Sequence, residues 1–204
     1  MAEDACLPRY RRDELHALDG SLTTKEVFDM STKEAEKQEM PCEKAEPQEQ
    51  HKWLSKLVGN WTIESDCQMG PDDKPMKTKG KESVRMLGDL WIVCEGEMEA
   101  PTGEIGKTMM TVGYDPKKKH FVGTWVGSMM HNMWVYEGDL DAAKKVLPLN
   151  TVGPDFLSGD TSKETKYQDI IEIVDNDNRI LRSQALGPDG KWVQIMTAHY
   201  KRAK

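Results

Sequence analysis

From Asn60 to Tyr200 the chain breaks into ten short strand-like runs with turn signals set between them. The runs are NWTIESDCQ, KGKESVRML, LWIVCEGEME, GKTMMTVGY, HFVGTWVGS, HNMWVYEGDL, KVLPLNTV, KYQDIIEIVD, RILRSQAL and KWVQIMTAHY. The turns GPDDKP, PTGE, YDPKKKH, DNDN and GPDGK carry the Gly, Pro, Asp and Asn residues that supply tight-turn backbone angles. Short strands joined by short turns pair with their chain neighbours, so they close into an antiparallel barrel or stack as a sandwich. A body of this length buries roughly 70% of the surface its unfolded chain exposes, which is enough for a closed barrel. The expected fold is all-β, a ten-stranded antiparallel barrel.

One helix precedes the strands. PQEQHKWLSKL has Pro47 at a first turn and sets Trp53, Leu54 and Leu57 on one stripe, which predicts a short amphipathic helix. Upstream the composition changes. Residues 31–50 are rich in Glu, Lys and Gln, are interrupted by Pro41 and Pro47, and have almost nothing apolar to bury. Disorder or a transient helix is the expectation there. SLTTKEVFDM predicts one short helix capped by Ser21 or Thr23. Met30-Ser31 reads as an alternative start to Met1. The chain thus divides into a flexible charged extension, 1–46, read as a solvated tail or a docking segment, and a barrel domain, 47–204.

Charge and cysteine placement narrow the classes of function. The first 46 residues carry 7 Lys or Arg against 12 Asp or Glu, and the remainder 21 against 23. A near-neutral body without basic runs lacks a nucleic-acid footprint. No stretch approaches the roughly 20 apolar residues of a membrane helix, so no membrane span is expected. The N-terminus lacks the apolar run of a secretory signal. Cys6, Cys42, Cys67 and Cys94 are scattered and form no CxxC pair, which fits reduced thiols in the cytoplasm.

LVGNWTIES, residues 57 to 65, resembles the Gly-x-Trp signature of lipocalins and other calycins. That resemblance implies that Trp61 closes the barrel floor and that a basic residue near the chain end packs over it; Arg202, in AHYKR, is the candidate. Longer blocks are more specific: ESVRMLGDLWIVCEGE, TVGYDPKKKHFVGTWVGSMMHNMWVYEGDLD and IMTAHYKR. Together they resemble the bacterial domain of unknown function 1579 family over residues 47–204. The resemblance implies a calycin-like, lipocalin-like barrel and leaves the function open. Lipocalins, fatty-acid-binding proteins and nitrobindins share that architecture and bind apolar small molecules or haem, an analogy of fold alone.

The stretch GSMMHNMWVYEG concentrates the chemistry. Alternate side chains on a strand face opposite sides, so Met130, Asn132, Trp134 and Tyr136 share one face and Met129, His131, Met133 and Val135 the other. A two- or four-residue hairpin loop sets Trp125 opposite Asn132 and Gly123 opposite Trp134, with Gly123 leaving room for the indole. Phe121, Trp125, Met130, Trp134 and Tyr136 then form one aromatic wall facing the lumen, with Asn132 and the Tyr136 hydroxyl as polar tips. The other face, Val122 to Val135, is apolar enough to cover the helix or to make a homo-oligomer contact.

The same alternation bears on other chemistries. Met129, His131 and Met133 suit copper in kind, but flexible methionines more often fill gaps. His199 shares a face with Val193, Ile195 and Thr197, an apolar wall suited to a porphyrin, and is the candidate axial ligand of a haem-binding, nitrobindin-like enzyme. Glu95 and Glu97 alternate with Trp91 and Val93 and could face the lumen as paired carboxylates, but they read as solvated, with Leu90, Ile92 and Cys94 as the other inward set. Arg85 is the candidate anchor for a ligand carboxylate. No GxSxG, HExxH or phosphate loop occurs. The leading expectation is a small hydrophobic or amphipathic ligand in the lumen, with no cofactor and no catalysis required. The haem enzyme and an oligomerising module with a filled barrel are the alternatives.

Overall fold

Period-two burial along each strand decides the architecture. In the first strand Trp61, Ile63 and Ser65 are buried while Thr62 and Glu64 are exposed. A sheet with one apolar face and edges that can meet closes on itself. The structure, a computed structural model, describes residues 45–68, 74–100 and 102–204. Residues 1–44 of the expected leader, with its Cys6 and Cys42 and the helix capped by Ser21 or Thr23, lie outside the described residues.

The strands are β1 (Gly59–Cys67), β2 (Met76–Leu87), β3 (Trp91–Glu99), β4 (Ile105–Asp115), β5 (His120–Gly127), β6 (Trp134–Gly138), β7 (Val146–Pro154), β8 (Glu164–Ile173), β9 (Asn178–Leu186) and β10 (Trp192–Arg202). Each pairs antiparallel with its chain neighbour, and β10 pairs with β1 to close the barrel. All ten expected strands are present. The seam between β6 and β7 is the thinnest, joined only at Glu137–Asn150 and Gly138–Leu149.

Helix α1 (Glu49–Ser55) plugs one end. The Gln48 backbone N–H donates to His51 Nδ1 at 2.8 Å, and His51 Nε2 donates to the Tyr114 carbonyl at 3.2 Å. The expected stripe holds: Trp53, Leu54 and Leu57 are all buried. Trp53 packs edge-on to Phe121 at 5.9 Å and donates its indole N–H to the Lys144 carbonyl. Each such side chain, fully buried, contributes on the order of 1.5–3 kcal/mol or more through area alone. The helix therefore covers the barrel's end and leaves the outer face of β4–β6 open. There Met109, Val126, Met133 and Val135 stay exposed.

Candidate functional site

At the plugged end the lumen is solid. The Trp61 indole N–H donates to the Leu57 carbonyl at 2.9 Å. The Arg202 guanidinium lies 4.3 Å over the Trp61 ring and donates to the carbonyls of Val58 and Asn176. Sequence reasoning paired these two residues; it did not foresee a second arginine. Arg179, 5% exposed, also stacks against Trp61 and against Tyr200, with ring distances of 4.8 and 4.0 Å. Its Nη2 donates to the Glu82 carboxylate. A buried ion pair of this kind holds only because each charge has its partner.

Beyond this layer the lumen opens. A cavity of about 220 Å³, partly open to solvent, is lined by side chains from all ten strands and by the β5–β6 and β7–β8 connections. A single trapped water needs on the order of 10–15 Å³, so the space suits a small molecule. Its wall is mostly apolar: Met98, Met110, Trp125, Trp134, Leu181 and Ile195 stand out.

The aromatic wall forms with the expected facing but a different register. Trp125 pairs with Trp134, and Gly123 with Tyr136, two residues along from the expected pairing. A shift of two preserves which side each residue faces. Trp134 meets Tyr167 edge-on at 4.8 Å and donates its N–H to Met130 Sδ at 3.2 Å. The glycine that makes room for this indole is Gly153, where an added Cβ would fall 2.4 Å from the ring. Gly123 instead lies against the backbone of Thr111 and Val112. Met130 sits in the connection before β6 and still lines the cavity.

Four sequence expectations are corrected by placement. Phe121 points inward but belongs to the plugged end, beside Trp53 and Tyr114, and does not line the cavity. Asn132 lies in the β5–β6 connection, outside the cavity lining, with its Nδ2 buried and unpartnered. Arg85 is on the outer face, exposed and 3.7 Å from Glu95, because Val84 takes the inward position. His199 also faces outward. Ile195 is an extra residue in β10, a bulge between Gln194 and Met196, so from there on Ala198 and Tyr200 turn in and His199 turns out. An exposed histidine on the outer wall cannot serve as axial ligand to a group in the lumen. His131, Met129 and Met133 are exposed around the β5–β6 connection. Among the described residues no cluster of His, Cys, Asp and Glu is placed to hold a metal ion.

The polar part of the cavity was not foreseen. Asp169 lies inward on β8 between Tyr167 and Ile171 and lines the cavity. The Tyr136 hydroxyl donates to its Oδ2 at 2.5 Å, and the Ser183 hydroxyl to its Oδ1. Burial pushes the Asp169 carboxyl above the usual range, and the hydrogen bonds from Ser183 and Tyr136 oppose that rise. Burial, followed by the Asp169 charge, pushes the Tyr136 phenol well above its ordinary value. Thr151 Oγ1, in the same lining, is buried and has no hydrogen-bond partner within the protein. The signal for Asp169 was present as the alternation Tyr167, Asp169, Ile171, Ile173, one acid in an apolar inward set.

The sequence matches the family described as protein of unknown function DUF1579 over residues 46–202. The chain belongs to the DUF1579 family. Among solved structures, this DUF1579 barrel is similar to Rv2717c from M. tuberculosis, at 13% identity and a TM-score of 0.57, covering 78% of this chain and 100% of that one. It is also similar to the S-type phycobiliprotein lyase CPES from Guillardia theta, at 13% identity and a TM-score of 0.52, covering 78% and 99%. At such identity the likeness speaks to fold alone. Comparison with curated proteins returns no match. Among the described residues no helix is long and apolar enough to cross a membrane.

Proposed function

We propose that this DUF1579 protein binds a small apolar or amphipathic molecule in the lumen of its barrel, with no catalytic step required. The observation that carries this is the cavity of about 220 Å³, walled by Met98, Met110, Trp125, Trp134, Leu181 and Ile195 with Asp169 and Thr151 as polar groups. Pockets with an apolar wall and a few placed polar groups are the usual form of small-molecule sites. Trp125, Met130, Trp134 and Tyr136 supply the wall. The outward position of His199 removes the ligand on which the haem reading depended, and the open space at the mouth speaks against a wholly filled barrel. The free thiols of Cys67 and Cys94 support a reducing, cytoplasmic setting.

Native mass spectrometry of protein purified without detergent tests the proposal directly. A bound small molecule, retained by the wild type and depleted in Trp134→Ala, is the expected result. A wild type that carries nothing, and whose tryptophan emission ignores a panel of apolar probes, overturns it.

A further inference from the structure

Fatty-acid carriers hold a carboxylate with an inward basic residue, and Arg85 was the residue suited to that part. With Arg85 outside, the cavity has the opposite polarity. Among the described residues lining it there is no Lys, Arg or His, whereas Glu82 and Asp169 are both present. Arg179 is engaged by Glu82, stacked between Trp61 and Tyr200, and absent from the lining. Both carboxylates lie near enough to Tyr200 to raise its phenol, with burial first and Glu82 ahead of Asp169. The base of the lumen therefore sets two carboxylates against one guanidinium, and Asp169 is the one without a cationic partner.

Its hydrogen bonding shows what it awaits. An ionised carboxylate offers about four acceptor positions. The hydroxyls of Tyr136 and Ser183 take one on each oxygen and fix the group's orientation, leaving acceptor capacity unused. A second, independent group points the same way. Thr151, 8% exposed, sits on β7 opposite Tyr167, two residues from Asp169 along β8, and its Oγ1 has no partner within the protein. A buried carboxylate with spare acceptor sites and a buried unpaired hydroxyl are costly unless a guest completes them.

From this juxtaposition we infer that the lumen selects amphipathic amines: an apolar body against Trp125 and Trp134, and a cationic nitrogen on Asp169 within reach of Thr151. Ligands ending in a carboxylate are rejected, since they would set a third negative group beside Asp169 and Glu82 without a free cation. This rests on the lumen-binding reading above.

The test compares naphthylmethylamine, naphthylmethanol and naphthylacetate, which share one apolar body and differ in the head group, by calorimetry on the full-length protein. The amine is expected to bind at least about tenfold more tightly than the carboxylate, the effect of one hydrogen bond to a charged group. Asp169→Asn should remove most of that preference, read as the ratio of amine to carboxylate affinity. If all three bind equally, or the carboxylate binds best, the inference is overturned while the carrier reading stands. If none binds, both fall. The wild-type ranking decides the matter even if Asp169→Asn does not fold.

Discussion

The same ten strands build two very different ends. At the plugged end, α1, Trp53, Phe121, Trp61 and the stacked arginines fill the lumen. At the mouth, Trp125, Trp134 and Met130 stand around open space. The backbone differs as well: β6 and β7 pair only at Glu137–Asn150 and Gly138–Leu149, toward the plugged end beside Phe121, and are unpaired with each other at Trp134 and Tyr136. The packed end specifies and stabilises the barrel, which leaves the mouth free to keep a cavity and a carboxylate that a close-packed core would exclude.

The sharpest way to break this contrast is at the plug. Trp61→Ala removes the ring on which both arginines rest, and urea unfolding should show a loss of about 3–5 kcal/mol. Glu82→Gln leaves the Arg179 guanidinium buried without its counter-charge, and about 3 kcal/mol should be lost in the same assay. A cost under about 1 kcal/mol for either would mean that the plug is not what holds the barrel together. At the mouth the effect should be smaller. Trp125→Ala, on a half-buried ring that already borders empty space, is expected to cost about 1–2 kcal/mol, since little new cavity is made. Ala198→Leu should fill the lumen and abolish probe binding while stability shifts by no more than about 1 kcal/mol.

The smallest effect is a pH dependence at Asp169. Its folded pKa is raised, chiefly by burial, so its contribution to stability is present below the ordinary aspartate range and is lost as pH rises through the folded value. Asp115, Asp141 and Asp175 are lowered by backbone hydrogen bonds and act in the opposite sense, losing stability as pH falls. Subtracting the unfolding curve of wild type from that of Asp169→Asn isolates the first term. The variant should gain on wild type as pH rises above the ordinary aspartate value of about 3.9. A difference independent of pH would show that Asp169 is solvated like the surface carboxylates.

The barrel was readable because turn residues and period-two alternation report on the backbone directly. The wall was readable too, up to parity: the β5–β6 connection differs from the assumed hairpin by an even number of residues, so Trp125, Trp134 and Tyr136 still face one way while their pairing moves. Arg85 was misplaced because KGKESVRML alternates in a way that either face could claim, and only the burial of Val84 decides it. Asp169, Glu82 and Arg179 were missed because a charged residue in a strand suggests solvent. Their burial depends on partners from other strands, which one segment cannot reveal.

The extra residue in β10 has a consequence for how this chain can vary. Before Ile195 the strand serves the mouth, and after it Ala198, Tyr200 and Arg202 serve the base, with the two halves joined out of phase. One residue inserted after Met196 would turn His199 and Lys201 inward where Tyr200 and Arg202 now meet Arg179 and Trp61. The last strand should therefore tolerate the loss of Ile195, which lets Gln194–Gln184 and Met196–Ser183 run on in one register, and reject an insertion beyond it.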